Sequence, residues 1–377
     1  MIVFHIIGDL KQGGAESQLE RLVTFSDGTD TEHVVISLKY IKSSIYNRLI
    51  AKGIKVHLLN FSGINFIFSF LKLRTLLKNV HDKKVVIQCW MYHGNFFGLL
   101  AAMSLGQANK VIWNIRRTAI PNGFSGVLAK ICAKLSHYFP VTTVCCAQAA
   151  KKSHVRAGYN SRNMVVIHNG IDAGVFSPSE SQKLQFRHKF TIAEGEVVIG
   201  MVGRYAPVKG HLYFLQALEH IALNSPQLFN KLKIVLVGRD IKDAVLLNPL
   251  LESVLLKDRL IILDETAEVW GIMQGFDLYC MPSESEGFPN VVAEAMACGV
   301  PAIVTDVGDA AIIVNNPNFV VPPLQPMALA DGIIKYFQLS DTERNKMSYE
   351  SRLRVSREFS IEAAWNNYLC LYKKIIG

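Results

Sequence analysis

Short apolar runs rich in β-branched residues alternate with segments of helical period along almost the whole chain, and nothing else in the sequence restricts the fold so strongly. MIVFHII, EHVVISL, IKVHLLN, KKVVIQC, KVIWNI, VTTVCC and MVVIH form a first series; GEVVIGMVG, LKIVLVG, RLIIL, FDLYCMP, PAIVTD and NFVVPP form a second. Between them lie stretches such as AESQLERLVTF and FIFSFLKLRTLLKNV. Strands that read as near-continuous apolar runs are buried on both faces, and a strand–helix–strand rhythm places helices over both faces of a parallel sheet. The expectation is an α/β protein of two doubly wound, Rossmann-like domains facing a cleft.

Size agrees with two series, because 377 residues are too many for one ordinary core. The boundaries expected are a first domain over residues 1–170, a polar linker over 171–195, a second domain over 196–355, and a terminal helix over 356–377 that packs back toward the first. Trp365, Leu369 and Tyr372 give that helix its apolar spacing. The seven cysteines show no C-x-x-C spacing and sit mostly in apolar runs, which predicts reduced, buried thiols and no metal cage. Met1–Ile7 reads as a buried strand rather than a secretory leader. Residues 85–109 lack Lys, Arg, Asp and Glu, but Gln88, His93, Gly94 and Asn95 interrupt them, and they are read as strand, turn and buried helix.

Charge is unevenly spread. Residues 1–170 carry 21 Lys and Arg against 7 Asp and Glu, whereas residues 171–377 carry 19 against 24. The basic half lacks the aromatic-basic and recognition-helix patterns of nucleic-acid binders, so no nucleic-acid partner is expected. It suits an anionic membrane surface. Asn65–Val80, with Phe66, Phe68, Phe70 and Leu71 beside Lys72, Arg74 and Lys78, has the composition of an interfacial helix.

In open parallel sheets, ligands bind at the carboxyl ends of strands, so the loops that follow strands are the informative ones. After the first strand comes GDLKQGGAE, where Gly13 and Gly14 open a helix and let backbone N–H groups approach an anion or a sugar. After the first strand of the second series comes GRYAPVKGH, with Gly203, Arg204 and Lys209. His211 stands where a P-loop needs Ser or Thr, which leaves two cations suited to clamping a diphosphate. No D-x-D and no ligand cluster of metal spacing occurs, so neither metal nor other cofactor is expected.

The third loop is ESEGFPNVVAEAMACGVP, residues 284–301. A helix starting near Pro289 would aim the N–H groups of Phe288, Asn290 and Val291 at a ligand. Glu286 and Glu294 would stand about 12 Å apart along it, too far to share a proton, but able to accept hydroxyl groups at two ends of one elongated ligand.

With these residues in view, the chain resembles the retaining glycosyltransferases of the GT-B fold, in the large family that builds bacterial lipopolysaccharide and capsule. The likeness rests on the E-x7-E spacing of Glu286 and Glu294, on GRYAPVKG, on HNGID at 168–172 and on the GGAE loop, in the family's order. It implies that Arg204 and Lys209 hold the donor diphosphate, that Glu294 accepts the ribose hydroxyls, and that Glu286 holds the transferred sugar. The backbone of Phe288, Pro289 and Asn290 would line the sugar, and Gly13 and Gly14 would approach from the other domain. The partners implied are a nucleotide-sugar donor, with UDP before GDP, and a glycan acceptor, lipid-linked and met on the inner face of the cytoplasmic membrane. Many relatives carry a sugar-side histidine; His93, Arg116 and Arg117 are the candidates here. A nucleotide-sugar epimerase or a non-catalytic nucleotide-sugar binder on the same fold is the alternative.

Overall fold

A computed structural model of the protein describes residues 1–26, 30–78 and 84–377. Both series of apolar runs form parallel sheets. The first contains β1 (Ile2–Ile7), β2 (Glu32–Ser37), β3 (Lys55–Leu58), β4 (Val85–Trp90), β5 (Val111–Ile115), β6 (Thr142–Cys145) and β7 (Met164–Val166), in the order β3-β2-β1-β4-β5-β6-β7. The second contains β8 (Val197–Val202), β9 (Leu232–Val237), β10 (Leu260–Leu263), β11 (Leu278–Met281), β12 (Ala302–Thr305) and β13 (Val320–Val321), in the order β10-β9-β8-β11-β12-β13. Strand order reverses between β1 and β4 in one sheet and between β8 and β11 in the other. These are the switch points at which doubly wound sheets open a crevice for ligands.

The chain divides into a unit of residues 1–170 with 361–377 and a unit of residues 171–360. The segment expected as a linker is folded into the second unit. Ser179 caps helix Glu180–Lys189 by accepting from the Gln182 amide, Phe186 meets Phe276 edge-on, and Lys183 pairs with Asp277 at 2.8 Å. Its single buried apolar residue left too little periodicity for the sequence to reveal it. The terminal helix runs from Ile361 to Ile376, within the segment expected for it, and residues 356–358 belong instead to Asp341–Glu358, a separate helix with a full capping box from Ser340 and Glu343. It buries Trp365, Tyr368 and Tyr372, and Leu369 is partly buried against the same core.

Residues 85–109 form β4 followed directly by helix Met91–Met103. Among the described residues no helix is long and apolar enough to cross a membrane. Six cysteines are buried and Cys370 is exposed.

The core of the first unit contains a directed polar chain. The Trp90 indole donates to His5 Nδ1 at 3.2 Å, His5 Nε2 meets His33 Nδ1 at 2.8 Å, and His33 Nε2 meets Ser26 Oγ at 2.6 Å. Indole only donates, so His5 Nδ1 accepts and its proton sits on Nε2. The same logic puts the His33 proton on Nε2, and Ser26 passes its own to the Leu22 carbonyl at 3.0 Å. Both rings are satisfied as neutral species, and burial holds both below the usual histidine range.

Candidate functional site

In the second unit, the loops after β8 and β11 meet at the switch point. Lys209 ends a single 3-10 turn, Pro207–Lys209, and its ammonium lies 2.8 Å from Glu286 Oε1. The same oxygen accepts from the Ser283 hydroxyl at 2.8 Å. The loops are tied a second time by the Glu284 amide, which donates to the Val208 carbonyl at 2.8 Å. Gly210 makes the approach feasible: it adopts φ +77°, and a side chain there would strike the Pro282 carbonyl. Arg204 is exposed on the same loop, and the Gly203 amide donates to Val237 at 2.8 Å.

The loop after β12 supports Glu286 from behind. Gly308, at φ +59°, brings its backbone against the Glu286–Gly287 peptide; the Asp309 amide donates to the Gly287 carbonyl at 2.9 Å, and the Thr305 hydroxyl to the Ser283 carbonyl at 2.6 Å. Asp309 follows a glycine that already supplies the close approach.

Helix Asn290–Ala297 begins as the sequence predicts, with Pro289 extended at its N-cap. Asn290 and Val291 are half-buried at its mouth, whereas Phe288 is buried and meets Phe359 at 5.5 Å. Glu294 is buried within the helix. Sequence reasoning missed Tyr279 on β11. Its phenol donates to the Val202 carbonyl at 3.3 Å, and its pKa is driven far up by burial first, then by Glu286 and more weakly by Glu294. One buried hydroxyl thus feels both carboxylates. An aromatic in an apolar strand gives no hint of this, nor does Ser283 reveal its partner. His211 is buried and held down to about 4, so it stays a neutral ring beside Tyr205.

Of the first-unit candidates, Gly13, Gly14 and His93 follow the strands of the other switch point, whereas Arg116 and Arg117 follow β5. Gly13 and Gly14 start helix Gly14–Phe25, and the Glu16 carboxylate folds over Gly13, where a side chain would strike it. His93, in the first turn of helix Met91–Met103, packs its Cβ against Gly8 and its ring 5.7 Å from Phe124; burial, then Lys39, lowers its pKa while Asp9 opposes. Arg117 is exposed. Arg116, expected as a sugar contact, is instead committed within the unit. Its guanidinium donates to Asn169 Oδ1 at 2.9 Å, Asn114 Oδ1 at 3.0 Å, the Ile167 carbonyl at 3.2 Å and the Tyr368 hydroxyl, and it lies over Trp90 at 5.1 Å. The sequence placed it correctly after β5 but could not show that a helix from the far end of the chain would claim it.

Residues 182–354 match the family described as Glycosyl transferases group 1. The chain is 31% identical over 202 residues to the Escherichia coli UDP-Gal:alpha-D-GlcNAc-diphosphoundecaprenol alpha-1,3-galactosyltransferase, an alignment covering 52% of this chain and 50% of that protein. It is 22% identical to the Staphylococcus aureus capsular polysaccharide biosynthesis glycosyltransferase CapM, over 81% of this chain and 82% of the relative. The chain thus spans about half the length of the first of these and most of the second. Its fold superposes on Anabaena Alr3699/HepE in complex with UDP with a TM-score of 0.85 at 21% identity, over 99% of this chain and 100% of that one. Residues 182–354, most of the second unit, thus carry the group 1 glycosyl transferase pattern, and the two Rossmann-like sheets of the chain follow the GT-B fold.

Proposed function

We propose that this protein is a retaining, metal-independent hexosyltransferase. It moves a sugar from a nucleoside-diphosphate donor, UDP-linked first and GDP-linked second, to a lipid-linked glycan in surface-polysaccharide synthesis. The observation that carries this reading is the 2.8 Å pairing of Lys209 with Glu286. It sets a cation and a hydroxyl-accepting carboxylate side by side on the loops of one switch point. Arg204 and Lys209 take the diphosphate, Glu294 the ribose, and Glu286 the sugar hydroxyls. The backbone of Gly203 and of Phe288 to Val291 lines the donor.

The diphosphate competes with Glu286 for Lys209. As Lys209 turns to the phosphates, Ser283 keeps its hold on Glu286, which is then available to the sugar. The bond from the anomeric carbon to the diphosphate oxygen breaks, its electron pair leaving with the diphosphate. The acceptor oxygen bonds to the same face of that carbon, and its proton passes to the departing phosphate. Preorganised cations that neutralise the leaving group supply the largest share of such a barrier reduction.

The diphosphoundecaprenol named for the Escherichia coli relative is the basis for proposing a lipid-linked acceptor and a peripheral place on the inner face of the cytoplasmic membrane. Mass spectrometry of nucleotide sugars incubated with the protein and with lipid extracts is the test. A glycosylated lipid and free UDP are expected. Conversion of the donor to an epimer without free nucleotide would replace transfer with epimerisation, and binding without turnover would make the protein a sensor.

A further inference from the structure

Because the first sheet is parallel throughout, every segment leaving a strand's carboxyl end emerges along one edge. After β1, β2, β3 and β5 these segments expose Lys11, Lys39, Lys42, Lys72 and Arg117. The carboxylate of residues 8–13 is Asp9, already paired with Lys39 at 3.2 Å; residues 38–44, 59–72 and 116–127 contain none.

The same edge is unusually apolar where it meets solvent. Helix Phe66–Lys78 buries Ser69, Leu73 and Leu77, so its outer side should be polar. Instead Ile67 is 67% and Phe68 71% exposed, and Ile64, in the turn Gly63–Asn65 just before the helix, is 87% exposed. Phe124, at the start of helix Gly123–Leu135, is 64% exposed. Helix Met91–Met103 packs between these two helices. Rings brace the tip of the first: Phe97 lies 5.1 Å from Phe61, 5.6 Å from Phe66 and 5.2 Å from Phe96. Bulky apolar side chains exposed on a braced tip thus share with these cations the side of this unit that carries its switch point.

We propose that this edge docks on an anionic lipid surface, with Ile64, Ile67, Phe68 and Phe124 entering the acyl boundary and the surrounding Lys and Arg residues meeting the headgroups. The proposal rests on the lipid-linked acceptor reading and names the surface that would serve it. Charge selects this occupant: a second copy of the same edge would set cations against cations, whereas a nucleic-acid backbone would leave the apolar side chains without burial. Of the charges that the sequence suggested for this helix, Lys72 and Lys78 are exposed and Arg74 is half-buried, while residues 79–80 of that segment lie outside the described ones.

Sedimentation of the full chain with phosphatidylcholine vesicles, with and without phosphatidylglycerol, tests the proposal. Binding is expected to the anionic vesicles, weakening with salt. The Ile67→Ser/Phe68→Ser variant alters only well-exposed side chains and should bind at least about tenfold more weakly. Lys42→Glu/Lys72→Glu should lose a similar factor and most of the salt dependence. UDP affinity, measured in parallel, should be unchanged in both. A wild-type protein that ignores anionic vesicles at low salt overturns the proposal. So does unchanged vesicle binding by Ile67→Ser/Phe68→Ser, or concentration-dependent self-association which that variant abolishes, since the edge would then join two copies. Loss of UDP binding by wild type with vesicle binding intact would sink the transferase reading and spare this one.

Discussion

The Lys209 ammonium sits on Glu286 Oε1, and Ser283 contacts the same oxygen, so three side chains can be tested separately. Lys209→Ala should lower transfer by on the order of 10² while the thermal midpoint barely moves, because the pair is partly exposed and contributes little to folding. Near-normal turnover would remove Lys209 from the clamp. Glu294→Gln should weaken UDP binding by about 1 to 3 kcal/mol in calorimetry, whereas Glu286→Gln should leave that affinity intact and depress transfer. Equal losses in the two variants would reject the division of labour. Ser283→Ala should keep UDP affinity and slow transfer by about tenfold, the scale of one lost hydrogen bond; unchanged transfer kinetics would show that Ser283 does not position Glu286. Spacing in the sequence was enough to single out Lys209, Glu286 and Glu294. It could not expose Tyr279, whose partner Val202 lies on another strand far away in the chain, or Ser283, whose bond to Glu286 three residues on depends on how their shared loop is folded.

At the scale of elements, the chain from Trp90 through His5 and His33 to Ser26 joins β4, β1, β2 and helix Gly14–Phe25 by bonds that work only with neutral rings. A proton added to either ring would set N–H against N–H. Burial holds His33 down to about 4, against roughly 6.5 for an unfolded chain. Between those values the unfolded chain takes up the proton and the folded one refuses it. The stability is therefore complete above about pH 6.5 and is lost as pH falls toward 4, with His33 accounting for about 3 kcal/mol at the lower end. Urea midpoints across that window should fall with pH, and His33→Gln should flatten the slope without abolishing it, since burial also lowers His5, His154 and His211. A slope unaffected by His33→Gln would refute this account. The sequence shows two histidines in apolar runs and stops there, because sheet register, β1 against β2 and β4, is what lines them up.

For the whole molecule, full transfer activity is expected to survive excess EDTA; a loss restored by Mn²⁺ or Mg²⁺ would overturn the cation clamp. The parallel strands and their split into two sheets were legible because the apolar runs alternate so regularly with segments of helical period. Helix Glu180–Lys189 and the boundary near residue 356 were not, since one contributes a single buried ring and the other falls inside a well-capped polar helix. Helix Ile361–Ile376 belongs to the unit made of residues 1–170, where Tyr372 donates to Gln88 and Tyr368 to Asn114. Deleting residues 361–377 should therefore make the first unit the earlier target of limited proteolysis and leave residues 171–360 resistant; the reverse order of cleavage would contradict the assignment. Synthesis runs from the amino end, so residues 1–170 leave the ribosome without the helix that completes their unit until residues 171–360 have also been made. Gln88, Asn114 and Arg116 wait through the making of the entire second unit for partners on that helix. A nascent-chain chaperone would have most to protect in the half of the protein that is born first and finished last.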